Sequence, residues 1–211
     1  MKPFAFFLLL LLSFACGKTE QKEEPVSYKP HFANPEKPIA PIPNDGSFFG
    51  YILFDKKDEV HIILPDSTEI IAEHSSPTTR KYYLAADRFL IFSTKNYKNG
   101  FRLFSNDNKA LWQIDLQEDG IKVKQQGKGM SKNNFEISIQ KNGLLLIKDQ
   151  NNEKIGKVVL QQKKAVFYKK DKPVFTIETD MLSPAFGVLL IEEMGIEEKY
   201  AVFAEAFARG Y

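Results

Sequence analysis

Phe101-Arg102-Leu103-Phe104, then Ser105-Asn106-Asp107-Asn108-Lys109, then Ala110-Leu111-Trp112-Gln113-Ile114: an apolar run, a polar turn and a second apolar run. Short runs rich in Phe, Ile, Leu and Trp, punctuated by Asn, Asp and Ser, are the pattern of strands joined by tight turns. The unit recurs at Tyr51-Ile52-Leu53-Phe54-Asp55-Lys56-Lys57-Asp58, around Leu145-Leu146-Ile147-Lys148-Asp149, and around Ala165-Val166-Phe167-Tyr168-Lys169. No period is strict enough for a propeller or a solenoid. Working outward from it, apolar or alternating runs occupy 48–54, 59–64, 69–73, 81–85, 89–93, 101–104, 111–116, 121–124, 135–139, 144–148, 155–160, 165–168 and 174–178. A spacing near ten residues, about thirteen strands in all, predicts an antiparallel meander closed as a barrel or stacked as a sandwich, not βαβ units. Eighteen Phe and eight Tyr suit a sheet core.

After residue 178 the character changes. Ser183-Pro184 is a helix start, with Ser as N-cap and Pro at the first position. Residues 185–194 follow, apolar at Phe186, Val188, Leu189, Leu190, Ile191 and Met194, positions that surround most of a helix and predict burial on nearly all sides. Gly195 breaks it. A second helix over 197–209 places Tyr200, Phe203, Ala204 and Phe207 on one face, and its opposite face, with Glu198, Lys199, Glu205 and Arg209, is expected to be solvated.

The other end reads as an address. Met1-Lys2-Pro3 opens with one positive charge, 4–15 are rich in Phe, Leu and Ala, and Ser13 and Ala15 precede Cys16, the only cysteine among 211 residues. A spanning helix needs roughly 20 apolar residues, and this stretch is shorter. The layout resembles a bacterial lipoprotein signal of the looser, spirochaete type, since Ser13 and Phe14 stand where a strict lipobox has an aliphatic and a small residue. The resemblance implies a signal peptide over 1–15, lipidation of Cys16 (palmitate among the acyl chains), and attachment to the membrane through those chains. Ordinary cleavage after Ser13-Phe14-Ala15 is the competing reading and would give a secreted or periplasmic form. Gly17, rather than an acidic residue, favours the outer membrane. From 16 to 47 the chain carries six of its eleven prolines, at 25, 30, 35, 38, 41 and 43, mixed with Lys, Glu and Asn. That composition predicts a disordered, extended tether, and 48–211 is then a single β-rich domain with two C-terminal helices. A domain of that length buries about 70 % of its unfolded surface.

Charge and motifs narrow the function. Without Lys2 the chain has 28 basic and 27 acidic residues, a total that gives no strong field for nucleic acid or for anionic lipid. A single cysteine excludes an intramolecular disulfide. No Gly-x-Ser-x-Gly is present, and Gly127-Lys128-Gly129-Met130-Ser131 reads as a flexible loop. His31, His61 and His74 lack metal-ligand spacing, and Asp149-x-Asn151-x-Glu153 lacks the Gly and Glu that complete a calcium loop. Lys122, Lys124, Lys128 and Lys132 are flanked by Glu118, Asp119 and Glu136 and read as a solvated strand edge. No catalytic, cofactor-binding or metal residue is assigned, and no cofactor is expected.

The stretch 101–179, with its Phe-x-Leu-Phe turn unit, Ala110-Leu111-Trp112-Gln113-Ile114, Ile147-Lys148-Asp149, Lys154-Ile155-Gly156-Lys157-Val158 and the Lys-Asp hairpin, resembles the tubby C-terminal-like superfamily, which includes phospholipid scramblases and LURP-one proteins. The resemblance implies about twelve or thirteen antiparallel strands closing into a barrel around a buried helix; a β-sandwich with two packed helices is the alternative. It also suggests lipid contact without scrambling, there being no basic cluster matching a phosphoinositide site. The expected function is a membrane-anchored envelope lipoprotein, a non-enzymatic binding or structural module for a lipid, an envelope protein or a host ligand. The alternative is an envelope or secreted hydrolase whose site assembles from scattered acids and histidines.

Overall fold

The computed structural model describes residues 38–47, 49–55, 59–127 and 133–211. The strands are β1 (Pro41–Pro43), β2 (Tyr51–Phe54), β3 (Val60–Ile63), β4 (Glu69–Ser76), β5 (Thr79–Leu84), β6 (Leu90–Tyr97) and β7 (Gly100–Ser105). They continue with β8 (Ala110–Gln117), β9 (Gly120–Gln125), β10 (Asn134–Ile139), β11 (Leu144–Lys148), β12 (Lys154–Gln161), β13 (Lys164–Lys169) and β14 (Lys172–Glu178). A 3-10 helix (Pro184–Leu190) and helix α1 (Ile196–Ala208) follow. From β2 to β14 each strand pairs antiparallel with the next, so one meander accounts for the sheet. All thirteen strands expected from the turn pattern are present, and the sheet is a nearly closed 14-stranded barrel.

Closure comes from a segment that composition had assigned to the tether. Pro41, Ile42 and Pro43 pair with Ile177, Thr176 and Phe175 of β14, while Ile39 exchanges two hydrogen bonds with Ile52 of β2, at 2.9 and 3.0 Å. Residues 39–43 therefore sew the last strand to the first, and the tether boundary at 47 moves back accordingly. Alternation along an antiparallel ladder turns the N atoms of Pro41 and Pro43 toward the seam, away from β14. A proline there sacrifices no ladder bond to β14, but it cannot extend the pairing with β2 either. The barrel is consequently stitched rather than fully zipped at this point. Residues 1–37, with the signal, Cys16, His31 and most of the proposed tether, lie outside the described residues.

Most strands alternate. Ile62, Ile70, Phe101, Ile114, Val123, Ile137, Ile147 and Phe167 are fully buried on one face. The opposite face of β7–β10 carries Arg102, Gln113, Asp115, Lys122, Lys124 and Glu136, exposed or half-buried. An apolar inner face with a charged outer one is the reverse of an outer-membrane barrel.

The expected helix over 185–194 is shorter and wound differently. Ser183 caps it, its Oγ accepting from Ala185 N at 3.1 Å, but the chain makes 3-10 bonds and turns extended at Ile191. Every residue from Pro184 to Leu190 is buried, against β9, β10, β11, β12 and α1. A 3-10 coil is narrower than an α-helix, which suits a segment packed this closely: a Cβ on Gly187 would lie 2.6 Å from Cγ2 of Ile137. The second helix is found close to its expected bounds, with Glu198 Oε2 accepting from the backbone N–H of Gly195 at 3.3 Å.

Candidate functional site

Three of the four polar positions expected on the solvated face of α1 behave otherwise. Glu205 is 2 % exposed and Arg209 9 %. Around Glu205 the inner faces of β5 and β6 supply Arg80, Tyr82 and Asn96. The hydroxyl of Tyr82 donates to Glu205 Oε2 at 3.0 Å, Arg209 Nε donates to Oε1 at 3.1 Å, and Arg80 Nη1 lies 3.6 Å from Oε2. Arg209 also bonds Asn96 and stands over the Phe101 ring at 4.8 Å. About two helical turns away, Trp112 Nε1 donates to Glu198 Oε2 at 2.6 Å. The reason for the correction is spatial: the face of α1 that carries Glu205 and Arg209 lies against Arg80, Tyr82 and Asn96 of β5 and β6, so its charges must find partners there. Lys199, half-buried, keeps part of its exposure, and burial lowers its pKa.

Electrostatics at this cluster follow from burial and charge together. Burial alone would raise the Glu205 carboxyl, but Arg80 and Arg209 outweigh it and hold it down at about 2. Tyr82 is pushed well up, first by burial and then by the Glu205 charge. The Thr94 hydroxyl, fully buried on the neighbouring position of β6, has no hydrogen-bond partner.

His74 is the histidine nearest to this cluster. It is exposed, and Arg80 Nη2 donates to its Nε2 at 2.8 Å. Arginine only donates and stays charged, so it orients the ring but relays no proton to Glu205. His61 lies on the outer side of β3, 2.9 Å from Glu69 Oε1 and 3.9 Å from Glu59 Oε2, a surface arrangement. The Asp149 carboxylate is engaged by its own turn, Oδ1 accepting from the backbone N–H of Asn151 at 2.9 Å and of Glu153 at 2.8 Å. Among the described residues no cluster of His, Cys, Asp and Glu has metal-binding geometry.

The lysines of β9 do meet in space. Lys122 and Lys124, with Lys148 of β11, Asn134, Glu136 and Asn152, line a shallow cleft of about 260 Å³ on the outer wall. Carboxylates already answer two of these cations: Lys124 sits 2.6 Å from Asp115, and Lys122 3.9 Å from Glu136. Burial alone would raise Asp115, but bonds from Lys124, Tyr97 and Gln113 outweigh it and keep the carboxyl low. Lys128 and Lys132 lie outside the described residues, as do His31 and Cys16.

Glu205 was the legible signal that the helical-face reading passed over. Tyr200-Ala201-Val202-Phe203-Ala204-Glu205-Ala206-Phe207 holds one carboxylate in an otherwise apolar run, with Arg209 four residues on. Such a charge calls for an internal partner. No family model, no curated protein and no solved structure matches this chain.

Proposed function

We propose that this protein is a lipid-anchored envelope lipoprotein, held at the outer membrane through acyl chains on Cys16, whose barrel is a non-enzymatic binding or structural module. The observation that carries the anchor is the position of the sole cysteine immediately after a short apolar signal. Two chains on a diacylglyceryl cysteine suffice for stable attachment where one does not.

The module reading is supported by what fills the fold. Phe186, Tyr200, Phe203 and Phe207 from the two helices are buried against the sheet, so the chain's own side chains occupy the space where a ligand cavity would be sought. We read the sheet as wrapped around both helices, where the tubby-like resemblance implies a single one, with the working surface on the outer wall. The guanidinium between His74 and Glu205 weighs against a hydrolase.

Cys16→Ser is the test. The variant is expected to lose partitioning into the detergent phase and to leave a soluble or unprocessed form. Partitioning equal to that of the wild type would refute the anchor.

A further inference from the structure

The register of the last strands builds a row on the outer wall that no sequence period reveals. Leu144 pairs with Val159, Val159 with Val166, Val166 with Thr176, and Thr176 with Ile42. Their neighbours Leu145, Val158, Phe167, Phe175 and Ile177 are buried on the other face, so the row points outward. Five strands set the row at roughly 20 Å. Ile42 is 47 % exposed, and the other four are half-buried.

Lysines margin this row on both sides. Toward one rim the next outward position holds Lys164, paired with Gln161 and Glu178; toward the other, Lys157 and then Lys148. Residues 141–178 contain nine lysines against four carboxylates, while the remainder of the chain has 20 basic and 23 acidic residues. Lys154 and Lys157 share Asp171, and Lys169 meets Glu192. Lys163, Lys164, Lys170 and Lys172 form no ion pair among the described residues. The positive surplus of a near-neutral protein is thus concentrated around one apolar row.

We propose that the outer face of β11–β14 and β1 docks on an anionic lipid surface, the apolar row entering the interface and the lysines reaching the phosphates. Long lysine stems can lie along apolar surface while the ammonium reaches charged headgroups. A second copy of this chain is a poor occupant, because two such faces would set lysine against lysine. The chain path fits a membrane: coming from Cys16, the first paired residue among the described ones is Ile39, and the first described strand is β1, which carries Ile42 of the row. The proposal rests on the anchored reading above.

The test keeps the two readings apart. Cys16 being the only native thiol, a full-length protein with Val166→Cys, and a second with Ser93→Cys on the outer side of β6, seven strands away round the sheet, each accept one environment-sensitive label. Both are reconstituted into vesicles of phosphatidylglycerol and phosphatidylcholine, or of phosphatidylcholine alone, containing quencher lipid. The Val166→Cys label is expected to be quenched at least about threefold more than the Ser93→Cys label in anionic vesicles, with the difference lost in neutral vesicles and at ~0.5 M salt. Adding Lys157→Glu and Lys164→Glu should abolish the difference without changing flotation. Equal quenching at both positions with flotation intact overturns docking and leaves the anchor standing. Failure to float at high salt, with Val166→Cys still quenched at low salt, overturns the anchor and keeps the docking face. Shielding of Val166→Cys in lipid-free detergent would give the face to a second copy and overturn the proposal.

Discussion

The 3-10 helix and the stretch 200–207 of helix α1 are both buried, yet they meet their walls by opposite chemistry. Against β5, β6 and β8, α1 is held by directional polar contacts: Glu205 to Tyr82 and Arg80, Arg209 to Asn96, and Glu198 to Trp112. Against β9–β12 the 3-10 helix is held by shape. A Cβ on Gly156 would lie 2.8 Å from Leu190 Cδ1, and one on Gly187 2.6 Å from Ile137 Cγ2, so absent side chains set the approach. Shape packing stabilises by removing apolar area from water and leaves the axial position to the fit. Polar contacts gain less net energy, but they bind particular atoms to particular atoms and so fix how far α1 slides or rotates.

Breaking the polar side should have the largest effect. Glu205→Ala takes away the carboxylate that two guanidiniums and a tyrosine share, at an expected cost of about 3–5 kcal/mol, read from the urea midpoint. Leu190→Ala attacks the apolar side at a site 1 % exposed, and about 2–5 kcal/mol is expected. A Leu190→Ala loss well above that of Glu205→Ala would mean that shape, not charge, is the stronger clamp. Gly187→Ala is expected to cost about 1–3 kcal/mol by overpacking against Ile137; an unchanged midpoint would show that the contact relaxes freely.

Acid separates the two sides in a different way. Glu205 is held at about 2 when folded, below its ordinary 4.5. A depressed carboxyl contributes stability that is complete above the unfolded value and is lost as pH falls toward the folded one. The wild type should therefore weaken progressively between about pH 4.5 and 2. Leu190→Ala should retain that slope at lower overall stability, whereas Glu205→Gln should flatten it. Parallel slopes for both variants would remove Glu205 from the account. Lys199→Ala, on the half-buried side of the same helix, is expected within about 0.5 kcal/mol of wild type. A larger loss would show α1 to be gripped all round.

The strands were legible because each carries its own evidence. Phe101-Arg102-Leu103-Phe104 alternates, and Asn and Asp mark the turn that follows it, so local pattern and final structure agree. The failures share the opposite property. Pro41-Ile42-Pro43 looks like spacer because two prolines argue against a strand; that it pairs with Ile177, Thr176 and Phe175 depends on a partner 132 to 136 residues away. Glu205 and Arg209 look like a wet face because helical periodicity assigns faces without knowing what surrounds them. The 3-10 winding of Pro184–Leu190 likewise answers to neighbours such as Ile137, not to its own propensities.

By itself, then, the chain's order of residues determined what neighbours in sequence can settle: thirteen hairpin-linked strands, a Ser-capped apolar segment and a second helix after Gly195. Turn chemistry, alternation and capping act over a few residues, so they leave a local trace. Tertiary structure alone decided the closure through residues 39–43, the partners of Glu205, and the outward row from Leu144 to Ile42. Each of these is set by register between strands or by what encloses a helix, and register is a property of pairs of segments that no single segment contains.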